Sequence, residues 1–526
     1  MTEIQTASSA NRQIARAAGT VMFAFVLSNV VGLVRQILIS RAFGTGSELD
    51  AFNAASTFPD VIFTLIAGGA LASAFIPAFT GFLTKGDHRG AWKLASSIIN
   101  LVILILIAAS ILSEVFSLQI VKFILAPDFS LDQQILTASL LRIMLIAPTV
   151  FGVSGILMGV INAHQRFLLP ALAPSMLWVG YIIGVLFFVP YIGIYGLAWG
   201  GVLGAFLHLL IQAPDLFRLH ERSFSFTLGM NNPAVREVIT LMGPRVVGVA
   251  VVQLNFIVNV IIATAQPVGS LSAIKLGFAV MTMPEVAIAQ AIAIAALPTF
   301  SEQFARGRLD EMRSSLAATL RGVILLSLPA TLGLILLRRP IVVLLFQRGE
   351  FDAHSTDLVA WALLWYTVGL VGHSLVEILS RAFYAVHDTK TPVIVGAVAM
   401  SLNVVFSFAF SAWFTSLGWM PHGGLALANS SATALEMTAL FILMRRRLKG
   451  MDGMNILRGF AQSALGTLAM SFILLLWMRA QGSVWIIGVG GVALGGLVYA
   501  LAIWAMKVPE LFALYNGVAR RFKRAN

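Results

Sequence analysis

Residues 94–115 read LASSIINLVILILIAASILSEV, 22 consecutive positions whose single charge, Glu114, sits at the end. A helix of that length rises about 33 Å, enough to cross the roughly 30 Å hydrocarbon core of a bilayer. The rest of the chain repeats the pattern. Of 526 residues 58% are hydrophobic and only 11% charged, and the mean hydropathy is +0.89. An ordinary soluble domain is roughly a quarter charged. About 305 apolar residues suffice for on the order of 14 crossings. Apolar cores fall at 19–40, 52–82, 94–115, 134–161, 168–190, 195–213, 239–264, 270–299, 316–337, 358–385, 392–415, 423–444, 459–478 and 484–506. The chain therefore reads as an all-α polytopic membrane protein with 14 transmembrane helices. The first run is too long for a signal-peptide core and lacks a small-residue cleavage site, so it reads as an uncleaved span. No polar stretch is long enough to hold a soluble domain.

With no cysteine, disulfides, zinc–thiolate sites and thiol nucleophiles are excluded. The net charge of +12 and pI near 10.4 follow from topology rather than from nucleic-acid binding. Alternate connections, taken with both termini, carry 23 Lys and Arg, against six on the other side. Cytoplasmic loops hold the basic excess, so both termini are expected in the cytoplasm. The clusters Arg445–Lys449 and Arg520–Arg524 read as part of the same bias rather than as lipid-binding patches.

The chain also resembles itself. An offset of 222 pairs Phe129 with Phe351, Leu141 with Leu363, Ala163 with Ala385 and Pro170 with Pro392. An offset of 221 pairs Phe75-Ile76-Pro77-Ala78-Phe79 with Ala296-Leu297-Pro298-Thr299-Phe300. Spans 1–6 thus map onto spans 7–12. Six is even, so both units enter the membrane in the same direction, a parallel repeat of the kind transporters use. The expected layout is a cytoplasmic segment at 1–18, an N-lobe at 19–222, a C-lobe at 236–447, two appended helices at 457–507 and a basic cytoplasmic tail at 508–526.

Ionisable groups inside spans cost several kcal/mol and usually face a cavity. Ser28, Gly32 and Arg35 share one face of span 1, and Asn53, Ser56, Asp60 and Thr64 share one face of span 2 beside Pro59. Arg35 and Asp60 lie about 16 and 9 residues into their runs, beyond comfortable snorkelling. Span 7 carries Arg245 after Gly243-Pro244, and span 8 carries Lys275, Thr282 and Glu285. Glu377 and Arg381 in span 10 stand at i,i+4, the spacing of an ion pair that neutralises itself. Arg245 and Arg381 sit near span ends, where snorkelling is the competing reading. Glycines and prolines in spans 1, 2, 7 and 8 read as bending points. No Gly-Lys dipeptide occurs, so there is no P-loop, and scattered histidines such as His164, His208, His373 and His387 form no metal pattern.

These residues also carry a family resemblance. Gly32-Leu33-Val34-Arg35, Phe43-Gly44, Asp50-Ala51-Phe52, Pro59, Gly69-Ala70 and Ala74-Phe75-Ile76-Pro77 resemble the N-terminal signature of the MurJ/MviN lipid II flippases of the MOP superfamily. Leu345 to Phe351 resembles that family's loop motif after span 9. Arg381 to Ala385 with Asp388 to Pro392 resembles its signature at the end of span 10. The resemblance implies two V-shaped, MATE-like lobes, and a cationic central cavity for a lipid-linked, pyrophosphate-bearing glycan. It implies a lipid-tail groove lined by spans 13 and 14, the inner membrane of a bacterium, and cell-wall synthesis machinery as a partner beside membrane lipids. Arg35 matches an arginine proposed to engage substrate, and Asp50 an acidic residue important for function. Three positions depart: Asn29, Phe63-Thr64 and Ala279 stand where many members have arginine, leaving Lys275 and Arg245 as substitutes. No cofactor is expected. Without a nucleotide site, membrane potential or a coupling ion is the expected energy source. The alternatives are a flippase for another polyprenyl-pyrophosphate-linked oligosaccharide, a MATE-like exporter of soluble cations, or a non-transporting scaffold. A basic cavity argues against the exporter, and the expense of buried charges argues against the scaffold.

Overall fold

The computed structural model describes residues 24–66, 70–219, 222–479 and 482–508, with backbone alone at 66, 70–73, 243–245, 247–248 and 251. Among the described residues the regular elements are all helices, joined by turns and short connections, and no strand occurs. The main helices are α1 (Ala24–Phe43), α2 (Ser47–Ile66), α3 (Ala70–Thr84), α4 (His88–Val115), α5 (Leu131–Met144), α6 (Ile146–Ala163), α7 (Leu168–Ile183), α8 (Ile194–Leu210) and α9 (Pro233–Thr264). They continue as α10 (Ser270–Glu285), α11 (Ala291–Ala305), α12 (Leu309–Phe346), α13 (Ala353–Val368), α14 (Leu370–Ala385), α15 (Lys390–Ser416), α16 (His422–Arg447), α17 (Gly453–Met478) and α18 (Gly491–Ala505). Helices are the forced answer in lipid, because a backbone without water must satisfy its own polar groups.

Among the described residues eleven segments are long and apolar enough to cross a membrane, and twelve if the bent pair α13–α14, angled at 47°, counts as one. Expected span 2 is the pair α2 and α3, with 67–69 outside the described residues, and expected span 7 is α9. On α4 a row of large side chains faces outward, Leu104, Ile105, Ile111 and Leu112 among them. Such a row suits hydrocarbon and would be a liability in water.

The bend between α13 and α14 has an identifiable cause. Gly369 lies at the break, where a Cβ would come within 2.6 Å of Ser430 Oγ. Ser430 donates its hydroxyl to the Trp365 carbonyl at 2.6 Å, with the Tyr366 carbonyl at 3.2 Å. Carbonyls freed by a broken helix are thereby given a partner.

The chain divides into two compact units, one running to Gly269 together with Arg348–Glu350, the other comprising Ser270–Gln347 and everything from Phe351 onward. In the first, α9 packs with the preceding helices, and Ile98, Leu141 and Phe79 lie in its core. In the second, Phe300, Leu320 and Phe383 occupy the core. The two units repeat local detail. Pro77 lies inside α3 and Pro298 inside α11, and Phe79 and Phe300 are each buried. Gly86 and Gly307, 221 residues apart, both take φ +71°, and Gln165 and His387, 222 apart, take 61° and 60°. Non-glycine residues rarely adopt that left-handed conformation, so its recurrence at the repeat offset marks a shared turn.

Candidate functional site

The first unit brings Arg35 against an aromatic wall on α7. Its guanidinium carbon lies 4.3 Å from the Trp178 ring centroid and 5.7 Å from that of Tyr181. Gly32, one turn earlier on α1, has its vacant Cβ position 3.5 Å from the Trp178 indole nitrogen, so the ring lies flush along α1. Tyr181 meets Phe52 of α2 edge-on at 6.1 Å. Arg35 Nη2 donates to Gln36 Oε1 at 2.6 Å, whereas its buried Nε has no hydrogen-bond partner. The Asp60 carboxylate interacts electrostatically with both Arg35 and Tyr181. Arginine stacked by its face keeps its N–H edges available for planar, two-point recognition of phosphate or carboxylate.

The aromatic wall is held by backbone. Gly180 of α7 and Gly184, just past its end, face Gly196, Gly200 and Gly204 of α8 so closely that a Cβ on Gly180 would lie 2.2 Å from Gly204 Cα. Small residues four apart let helices approach in this way.

Asp50 is elsewhere. Ten residues before Asp60, it lies about 15 Å away along α2, in that helix's first turn and 2% exposed. Its Oδ2 accepts the Gly269 N–H at 2.6 Å. Asn29 is exposed and donates Nδ2 to the Phe25 carbonyl of its own helix at 2.8 Å. Arg245 is on α9, and its side chain lies outside the described residues. Arg348–Glu350 packs in this unit. The Glu350 N–H donates to the Arg41 carbonyl at 3.0 Å, and Gly349 (φ +63°) leaves no room for a Cβ beside that carbonyl.

In the second unit Glu377 and Arg381 pair at 3.3 Å, both about a quarter to a third exposed. The charge of Glu377 acts on Glu285, at the end of α10. Lys275 is half-buried on α10 and engaged with other groups of the chain. His373 bonds Asn429 Oδ1 at 3.0 Å. In the first unit, His208 Nδ1 meets Ser154 Oγ at 2.6 Å. Both histidines are held within networks of ordinary polar groups. Among the described residues no cluster of three or more His, Asp or Glu could hold a metal. Trp178 and Tyr181 escaped the sequence reading. Their i,i+3 spacing was visible, but an aromatic pair on an apolar span looks the same whether it faces lipid or an arginine.

The family profile described as lipid II flippase MurJ matches residues 39–489. The lipid II flippase MurJ of Burkholderia cenocepacia is 31% identical over 442 residues, covering 82% of this chain and 84% of the relative. A solved lipid II flippase MurJ in an inward closed conformation superposes with a TM-score of 0.80 at 25% identity, covering 94% of this chain and 99% of that one. A MATE-family multidrug transporter of the MOP superfamily, facing inward, shares the fold with a TM-score of 0.65 at 15% identity, covering 80% of this chain and 94% of its own. The chain belongs to the MurJ lipid II flippase family.

Proposed function

We propose that this chain is a transporter, not an enzyme, and that it moves lipid II from the cytoplasmic to the outer leaflet of a bacterial inner membrane by alternating access. Family membership supplies the substrate. The observation that carries the site is Arg35, an arginine deep in an apolar helix, stacked on Trp178, with an unpartnered Nε. A diphosphate is the chemistry such a group serves. Guanidinium N–H groups match phosphate oxygens two at a time, and attraction between opposite charges grows several-fold as the surroundings lose water. Asp60 keeps the site from being a bare positive charge, so that an anion can leave as well as bind. Lys275, Arg245, Glu377 and Arg381 are proposed as further cavity groups, and Asn29 as a polar neighbour of the Arg35 face. Asp50 is proposed to act through the turn at Gly269 rather than by touching substrate.

The proposed topology has 14 spans with both termini cytoplasmic, supported by the basic-residue bias and by helices at each expected span. Spans 13 and 14 are proposed to carry the polyprenyl tail. Membrane potential or a coupling ion is the proposed energy source. The test is complementation: the essential flippase of a model bacterium is depleted and this chain expressed. Growth and externalised lipid II are expected to return, and to fail with Arg35→Ala at equal membrane abundance. Absence of rescue by the wild-type chain in the membrane refutes the substrate, and full rescue by Arg35→Ala refutes the site.

A further inference from the structure

The connection between α8 and α9 carries an alternating pattern, Arg222-Ser223-Phe224-Ser225-Phe226-Thr227-Leu228-Gly229-Met230. Residues 222–229 form no helix, yet they are tied down on one side. Asn100 of α4 donates its side-chain amide to the carbonyls of Ser225 and Thr227 at 2.9 and 3.0 Å. The Ser225 N–H donates to Ser96 Oγ at 3.2 Å. Gly229, with φ +57°, presses so close that a Cβ would lie 2.4 Å from Ser97 Oγ. The other side is apolar and uncovered. Phe226 is 94% exposed and Phe224 53%, and the two rings pack edge-on at 5.1 Å. Leu228 and Met230 continue the row, and Phe217 begins it with the Arg222 guanidinium 5.0 Å above its ring.

We propose that residues 222–230, with Phe217 and Arg218, are an interfacial anchor whose Phe224, Phe226, Leu228 and Met230 lie in the headgroup layer of the bilayer, with Arg218 and Arg222 on the phosphates of anionic phospholipid. Depth supports this occupant. Asn100 lies seven residues beyond Lys93, the last charge at the start of α4, or about 10 Å along the helix, where α4 turns purely apolar. That is the level at which aromatic side chains gather in membrane proteins and at which amphipathic segments embed. Carbonyls placed there need a protein partner, because water is scarce, and Asn100 supplies it. The two arginines complement the negative surface of anionic lipid. The inference rests only on the chain spanning a membrane, so it stands or falls separately from the substrate.

The chain has no cysteine, so Phe226→Cys gives one labelling site on the whole protein. The purified variant carries an environment-sensitive NBD label in phosphatidylcholine vesicles, with or without phosphatidylglycerol. Emission is expected to shift to the blue. Lipid bearing a shallow spin label should quench it several-fold more strongly than it quenches the same label at Arg89→Cys, an exposed position at the start of α4. Phosphatidylglycerol should deepen the effect, and Arg218→Gln with Arg222→Gln should abolish that deepening. A label at 226 that behaves like the one at 89 overturns the anchor and leaves the row to a protein partner. Identical behaviour with and without phosphatidylglycerol overturns the role of the arginines.

Discussion

Replacing Gly180 by alanine tests the platform under Arg35. The added Cβ would stand 2.2 Å from Gly204 Cα, 2.3 Å from Gly204 N and 2.6 Å from the Gly200 carbonyl oxygen, where ordinary contact begins at 3.4 Å. The α7 and α8 axes must therefore part by roughly 1.2 Å, the shortfall between 3.4 and 2.2 Å. Every atom in the way is backbone, which cannot swing aside. Overpacking costs about 1–3 kcal/mol, and rigid neighbours put this case near the upper end. Alanine's better helix propensity returns about 1 kcal/mol. The expected net loss is about 2 kcal/mol, or roughly 4–8 °C for a unit of this size. Gly496→Ala on α18 is the control, since nothing lies within 4 Å of its Cβ position and only the propensity gain remains. Apparent melting of the purified variants at one heating rate gives the comparison, with rate held constant because unfolding of such proteins is often irreversible. A second reading is flipping activity, because Trp178 rides on α7 beside Arg35. Equal melting for Gly180→Ala and Gly496→Ala would refute the glycine contact and the rigid platform built on it.

Other expectations follow from the same geometry. Trp178→Leu removes the ring face under Arg35, a loss of about 1–2 kcal/mol and so roughly 5- to 30-fold slower flipping at unchanged protein abundance, with Trp178→Phe between the two; unchanged lipid II export in spheroplasts would contradict it. Asp50→Ala strands the buried Gly269 N–H and should cost about 1–3 kcal/mol of stability, while Asp50→Asn keeps an acceptor and should cost less, as read by melting in detergent. The backbone N–H groups of Ser355 and Thr391 hold the loop carboxyls of Asp352 and Asp388 below the usual carboxylate range, helped for Asp388 by Arg447 at 3.1 Å. Their contribution is complete above the unfolded value near 3.9 and fades as pH falls through the lower folded value. Asp352→Asn and Asp388→Asn should therefore melt below wild type at neutral pH and converge with it in acid; a gap that persists in acid counts against the charge.

Much of the helical plan was legible without tertiary information. A run such as 94–115 has one stable option in a bilayer, since its backbone groups must bond within the segment. The Glu377–Arg381 pair was legible too, because i,i+4 partners meet on any helix, and they meet here at 3.3 Å. The internal repeat was readable from sparse identities, and the matched turns at Gly86 and Gly307 give it backbone substance. The row at Phe224–Met230 is not legible as a surface feature from sequence, because a short polar–apolar alternation reads equally as a half-buried strand.

What the amino-acid order determined by itself is whatever depends on one segment and its solvent: helices, their lengths, their charged ends and local ion pairs. Tertiary structure alone decided which distant groups meet. Arg35 finds Trp178 on another helix, Asp50 finds Gly269 at a separation of 219 residues, and Asn29 turns back to its own backbone. In lipid every outward face of a helix is as apolar as every inward one, so hydrophobicity cannot say which face packs. Close approach through glycine and the satisfaction of a few polar groups decide it, and both need the neighbouring helix in place.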